Sequence, residues 1–226
     1  MPLIVSFARQ KVKRNMIISD PKGELYRRTA ATLKEQGYKV KLLNFRDYNH
    51  SECWNMLTPI YRRYRKAVSV ADEVKLVETE DGSRYEFCGK IYDSQPELDE
   101  AVDRAQSMLL DEVGNDIDNI AQMFVHTQKK DDPYWEDSAR DLLKAFLWAM
   151  LEDSDKPVGE NPITEDTYSF KTMIGIIDMF HDGDDSAFND DGYFSDRSES
   201  SRARRYAQNT ILSNGRPTRK CIMSML

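Results

Sequence analysis

The stretch Asn15-Met-Ile-Ile-Ser-Asp-Pro-Lys-Gly-Glu-Leu25 narrows the folds open to this chain more than any other. Met16, Ile17 and Ile18 form a short apolar run that reaches Asp20-Pro21. Proline cannot donate to a sheet ladder, so a strand should stop there. Glu24 to Gln36 reads as a helix closed by Gly37, where a C′ glycine belongs. Tyr38 to Phe45 then reads as a second strand. Strand, acidic turn, helix and strand together predict a right-handed parallel crossover. Ligands of open α/β sheets bind outside the carboxyl ends of the strands, which is where Asp20, Lys22 and Glu24 would sit.

Charge divides the chain. Residues 1–70 carry a net +10, residues 71–200 a net −23 and residues 201–226 a net +6. A basic domain interrupted by an acidic insertion, with residues 201–226 returning to it, accounts for both basic flanks. A chain of 226 residues has ample capacity for one large or two small cores. There is no run of 18 apolar residues, so no membrane span is expected, and Leu3 to Phe7 is too short for the apolar part of a signal peptide. Cys53, Cys88 and Cys221 are odd in number and far apart, which predicts free thiols rather than a disulfide framework or a zinc site.

Further along, Pro59 to Lys66 interleaves Tyr61 and Tyr64 with Arg62, Arg63, Arg65 and Lys66. Such a stretch can neutralise and stack on a nucleic-acid strand, making these four cations candidates for DNA contact; a plain basic helix face reads equally well. Val74 to Cys88 alternates around Asp81-Gly82, a β-hairpin signal. From Pro96 the period turns helical. One helix carries Leu98 to Leu109, Gly114 interrupts, and a second carries Ile117 to Val125. Asp131-Asp132-Pro133 punctuates before a wide apolar face from Trp135 to Leu151. A helix within Thr164 to Phe180, a mobile acidic loop over His181 to Ser201, and two helical segments broken at Asn214-Gly215 complete the chain. Pro2 to Gln10 and Met223 to Leu226 look like the tail and the start of elements, as in an internal piece of a longer protein.

No Gly-x-x-x-x-Gly-Lys-Ser/Thr loop occurs, and no apolar strand ends in Asp-Glu late in the chain. Asp182 to Tyr193 begins like a calcium loop but has Ala187 in place of glycine and Tyr193 in place of the bidentate glutamate, so it is rejected. A Cys53–His50 nucleophile pair has only spacing in its favour. Asp20 and Glu24 are of the type that orients Mg²⁺ or water beside a nucleotide, or that simply caps a turn.

Three segments in order, NMIISDPKGELYRRTAATLKEQGYKVKLLNF (15–45), SECWNML (51–57) and DDPYWEDSARDLLKAFLWAML (131–151), resemble the TraG/TraD-type coupling proteins of conjugation and type IV secretion. The resemblance implies a fold that is α/β plus all-α: a partial RecA-like parallel unit over 1–70, an acidic all-α insertion over 71–200 with the hairpin near 74–88, and a return to the RecA-like domain over 201–226. It also implies a hexameric, ATP- and Mg-dependent DNA pump at the cytoplasmic face of the membrane. That pump links a relaxase–DNA complex, or other secreted protein substrates, to the secretion channel. Asp20, Lys22 and Glu24 would line its nucleotide pocket. Family members carry Walker A and Walker B segments that are absent from these residues, so this chain is expected not to hydrolyse ATP alone and to need no cofactor by itself. The rivals are a stand-alone protein-binding adaptor derived from the family, and an FtsK/HerA-like DNA translocase fragment.

Overall fold

The computed structural model describes residues 2–79, 82–125, 133–157, 161–182 and 185–224. The chain forms two compact units, Met1–Trp54 and Asn55–Leu226. The hairpin turn expected at Asp81, the Asp131-Asp132 punctuation and the second and third positions of the rejected calcium loop lie outside the described residues.

The first unit is built on two helices, α1 (Pro2–Ala8) and α2 (Glu24–Glu35), which pack together. Its buried side chains are few: Ala8, Thr29 and Leu33. Gly23 precedes α2 at φ +70, and Gly37 follows it at φ +83. Both are left-handed conformations in which a side chain would be strained. The two segments expected as parallel strands, Met16–Ile18 and Tyr38–Phe45, make no ladder with each other. The second still alternates as a strand should, with residues 38, 40, 42 and 44 half-buried and 39, 41, 43 and 45 exposed. Its one face lies along the helix, while Ile17 and Phe45 stand in solvent at 104% and 80% exposure.

The second unit centres on α5 (Tyr134–Glu152), whose residues 145 to 151 are buried without exception. A helix apolar on all sides must be covered on all sides. α4 (Gln95–Phe124) and α6 (Phe170–Met179) pack on α5, and α3 (Thr58–Val68) lies along α4. α7 (Arg202–Ala207), a π-helical turn over Gln208–Leu212, and α8 (Arg216–Met223) complete the cover. A three-stranded antiparallel meander, β1 (Lys75–Thr79), β2 (Gly82–Phe87) and β3 (Lys90–Tyr92), sits on the first turns of α4 through Phe87 and Leu98.

Four expectations need correction. The boundary falls at 54/55 rather than 70/71, because Leu57, Ile60 and Tyr64 of the α3 region belong to the core around α5. Residues 201–226 do not return to the first unit: Ala203, Ala207, Ile211 and Ile222 are buried in that same core. Gly114 does not break α4, which runs for 30 residues. A β-carbon at Gly114 would stand 3.7 Å from Arg202 Nη1 and 3.9 Å from Trp148, ordinary contact distances, so the helix carries the glycine at a propensity cost of about 1 kcal/mol without that pair requiring it. Finally, the region 181–201 is not simply a loop. β4 (His181–Asp182) pairs with β5 (Asp185–Phe188), and Phe188 and Phe194 are fully buried against Phe146 at 5.2 Å each between ring centroids.

Candidate functional site

A cleft of about 1140 Å³ opens in the first unit. Lys13 to Asp20 form one wall, α2 the floor, and Gly37 to Arg46 the other wall. Val40 and Leu42, half-buried, are part of its apolar lining with Leu25, Ala30 and Leu33. The rim is strongly basic. Lys13 and Arg14 come from the first wall, Lys22 and Arg27 from the helix end, and Lys39, Lys41 and Arg46 from the second wall. Asp20 is the single acidic residue among those lining it.

The Asp20-Pro-Lys-Gly turn is held by its own hydrogen bonds. Asp20 Oδ2 accepts from the backbone N–H of Tyr26 at 2.8 Å, and the Gly23 N–H donates to the Asp20 carbonyl at 3.1 Å. Asp20 thus neutralises one of the four unpaired donors of the first turn of α2 and places a negative charge at its positive end. Glu24 opens the helix, is exposed, and does not line the cleft, whereas Lys22 does. On the second wall, Lys41 Nζ meets Glu52 at 2.6 Å and holds that carboxyl below its ordinary range. Lys13 Nζ donates to the Ala8 carbonyl and lies 5.5 Å from the Tyr38 ring centroid. The Tyr38 hydroxyl oxygen is buried and has no hydrogen-bond partner among the described residues.

The four cations singled out in the sequence for DNA contact lie on α3, in the other unit. Three of them face carboxylates. Arg62 forms a two-pronged pair with Glu165 at 3.0 and 2.5 Å, which holds Glu165 below its ordinary range. Arg63 pairs with Asp116 and, at 3.2 Å, with Glu112. Arg65 reaches Asp155 at 2.5 Å, the same carboxylate that accepts the Tyr64 hydroxyl at 2.7 Å. Lys66 is exposed. The hydrogen-bond partner of His50 is Asp47, 2.6 Å from its Nδ1, and Cys53 is exposed. Among the described residues no group of His, Cys, Asp and Glu is arranged to hold a metal ion.

The sequence profile of type IV secretory system conjugative DNA transfer proteins matches residues 10–174. The chain belongs to that family. No curated protein and no solved structure matches it. The matched span of this conjugative DNA transfer protein takes in the whole cleft, α3 and the central helix α5. No described helix is long and apolar enough to cross a membrane. The basic cleft itself went unread in the sequence. Its cations are spread singly from Lys13 to Arg46, and only the fold of the two walls about α2 brings them together.

Proposed function

We propose that this conjugative DNA transfer protein couples two tasks: recruiting protein substrates through the acidic second unit, and serving a DNA-transferring ATP motor through the basic first unit. The observation that carries the reading is the charge split, which follows the division into units. The first unit has eleven Lys/Arg against five Asp/Glu, and the second has 21 against 34. A surface of net charge −13 repels a phosphate backbone and favours basic protein partners such as a relaxase or its accessory proteins.

In the intact motor, which acts at the inner face of the membrane as a homo-hexamer, Asp20, Lys22 and Glu24 stand at the rim of the nucleotide pocket, with ATP and Mg²⁺ supplying the phosphoryl chemistry. The residues of this chain fit such a rim but not the phosphate cradle. The Tyr26 N–H at the α2 N-terminus is already taken by Asp20, and the glycine-rich loop that wraps a polyphosphate does not occur in the sequence. Accordingly, no hydrolytic step is assigned to these residues. The partial RecA-like fold of the first unit belongs to the same proposal, supported by the strand-like alternation of residues 38–45.

The test is capture of the relaxase of the same mobile element by the immobilised full chain. Retention at moderate salt, reduced by Glu97→Gln/Glu100→Gln/Asp103→Asn on the exposed face of α4, is expected. Retention of DNA by the acidic unit in place of any relaxosome protein would overturn the assignment. The self-contained core of the second unit also suits a protein-binding adaptor without motor activity, the second reading. A glycine-rich phosphate loop encoded in the same frame as this chain would exclude it.

A further inference from the structure

We propose that the outer face of α6, with the end of α4 beside it, docks an amphipathic helix of a cationic protein partner. The inference rests on the reading that the acidic unit receives basic protein partners, and it names the surface and the form of the ligand. Only three of the ten positions of α6 carry polar side chains, Lys171, Thr172 and Asp178, yet only Met173 and Ile177 are buried. A helix with so little polar surface ordinarily has a cover on every side. Instead, Ile174 and Met179 on α6, and Met123 and Phe124 at the end of α4, are 54–77% exposed. Phe124 and Phe170 join the two sets, with ring centroids 4.7 Å apart, and Phe170 and Ile174 share a face one helical turn apart. Exposed apolar side chains standing singly need no explanation; a gathered group marks a contact surface. Two of these four are methionines, whose flexible thioethers adapt to partners of varied shape.

Gly175 lies among them in the interior of α6, where glycine weakens a helix more than any residue but proline. A β-carbon there would meet no described atom within 4 Å, so the packing of the chain itself makes no use of the bare backbone. Beside Ile174 and one turn before Met179, it is a notch into which a ridge of a second helix can seat closely. Charge then selects the partner. The second unit carries a net −13, so a second copy of this chain, or an anionic membrane, would be repelled from the face. Asp166 before α6 and Asp178 on it are exposed, against Lys171 alone. A helix apolar on one face and flanked by Lys and Arg meets both demands, and an apolar groove is a common seat for such a segment.

The experiment uses the full chain and a fluorescent leucine–lysine peptide whose leucines recur at i, i+3, i+4 and i+7, with binding followed by anisotropy at physiological salt. An isomer of the same composition, its leucines spread round the helix, should bind far more weakly. Ile174→Ser/Met179→Ser should weaken binding of the first peptide at least ~10-fold, as expected for two apolar side chains lost from a contact. Gly175→Leu adds apolar surface but fills the notch; it should raise Tm and yet weaken binding, which separates docking from stability. Met108→Ser, an exposed methionine of α4 ~24 Å along the helix from Phe124, should change nothing. Equal binding of the two peptides, binding of neither, tighter binding by Gly175→Leu, or equal loss in Met108→Ser would each overturn the proposal. No relaxase takes part in these readouts. Failure of the wild-type chain to capture a relaxase would overturn the coupling reading, whereas capture without any preference between the peptides would overturn this assignment alone.

Discussion

Glu152, the last residue of α5, accepts four hydrogen bonds from the segment 197–203. Its Oε1 accepts from the N–H groups of Arg202 and Ala203 at 3.0 and 3.2 Å, and its Oε2 from Ser201 Oγ at 2.8 Å and Arg197 Nη1 at 3.2 Å. Arg197 also reaches Asp153 at 2.8 Å; although burial opposes its charge, Asp153 and Glu152 keep the guanidinium firmly protonated. One side chain therefore caps α7 and anchors the segment before it. Glu152→Ala should cost ~3 kcal/mol, because it leaves buried donors without an acceptor and removes one of the two carboxylates that face Arg197, and should lower Tm by ~6–10 °C in a thermal scan. Glu152→Gln, which keeps an acceptor but loses the charge, should cost less. Three phenols give a second expectation. Burial pushes the pKa of Tyr64, Tyr168 and Tyr193 above the ordinary value of 10.0. A raised folded-state pKa means that the stabilisation is complete below pH 10.0 and is lost as pH rises further, since the unfolded chain ionises first. Alkaline unfolding should therefore coincide with a cooperative rise in tyrosinate absorbance from these three of the eleven tyrosines; ionisation of all eleven at constant ellipticity would contradict it.

Helix α3 shows how a basic element is held by its own chain. Its apolar face, Ile60, Tyr64 and Ala67, is buried, while Arg62, Arg63 and Arg65 reach three separate parts of the acidic unit. Half-exposed ion pairs contribute little singly and are screened by salt. Arg63→Ala, which removes two partners at once, should cost ~1 kcal/mol at low ionic strength and measurably less at high salt; an unchanged cost across salt would assign the loss to packing instead. The α6 start gives a contrast at the same scale. Ser169 accepts from the Thr172 N–H at 3.2 Å, a local cap whose removal by Ser169→Ala should cost ~1 kcal/mol at any ionic strength.

Across the molecule, stability is unequally shared. The second unit holds one large core, from Leu57 to Ile222, whereas the first buries little beyond Ala8, Thr29 and Leu33. Limited proteolysis of the full chain should therefore cut within residues 1–54 well before it cuts α4 or α5, leaving a resistant product that starts near Asn55. Equal resistance of both units would contradict this distribution.

Local chemistry made much of this legible beforehand. The Asp-Pro-Lys-Gly turn, α2 and its closing glycine, the hairpin, and the apolar face of α5 each rest on signals within a few residues: a missing donor, a left-handed glycine, a period of two or of 3.6. The three ordered segments that resemble coupling proteins were readable for the same reason, and the family match over residues 10–174 agrees with them. Tertiary structure decided the rest, because long-range packing has no local signature. Only the folded chain shows that α4 continues through Gly114, and that α3 joins the acidic unit. Only the folded chain shows that residues 201–226 cover α5. The charge blocks in the sequence foretold an acidic insertion between basic flanks, but charge does not choose neighbours. The buried apolar faces of α3, α7 and α8 outweighed it, and they sent both basic segments into the acidic unit's core.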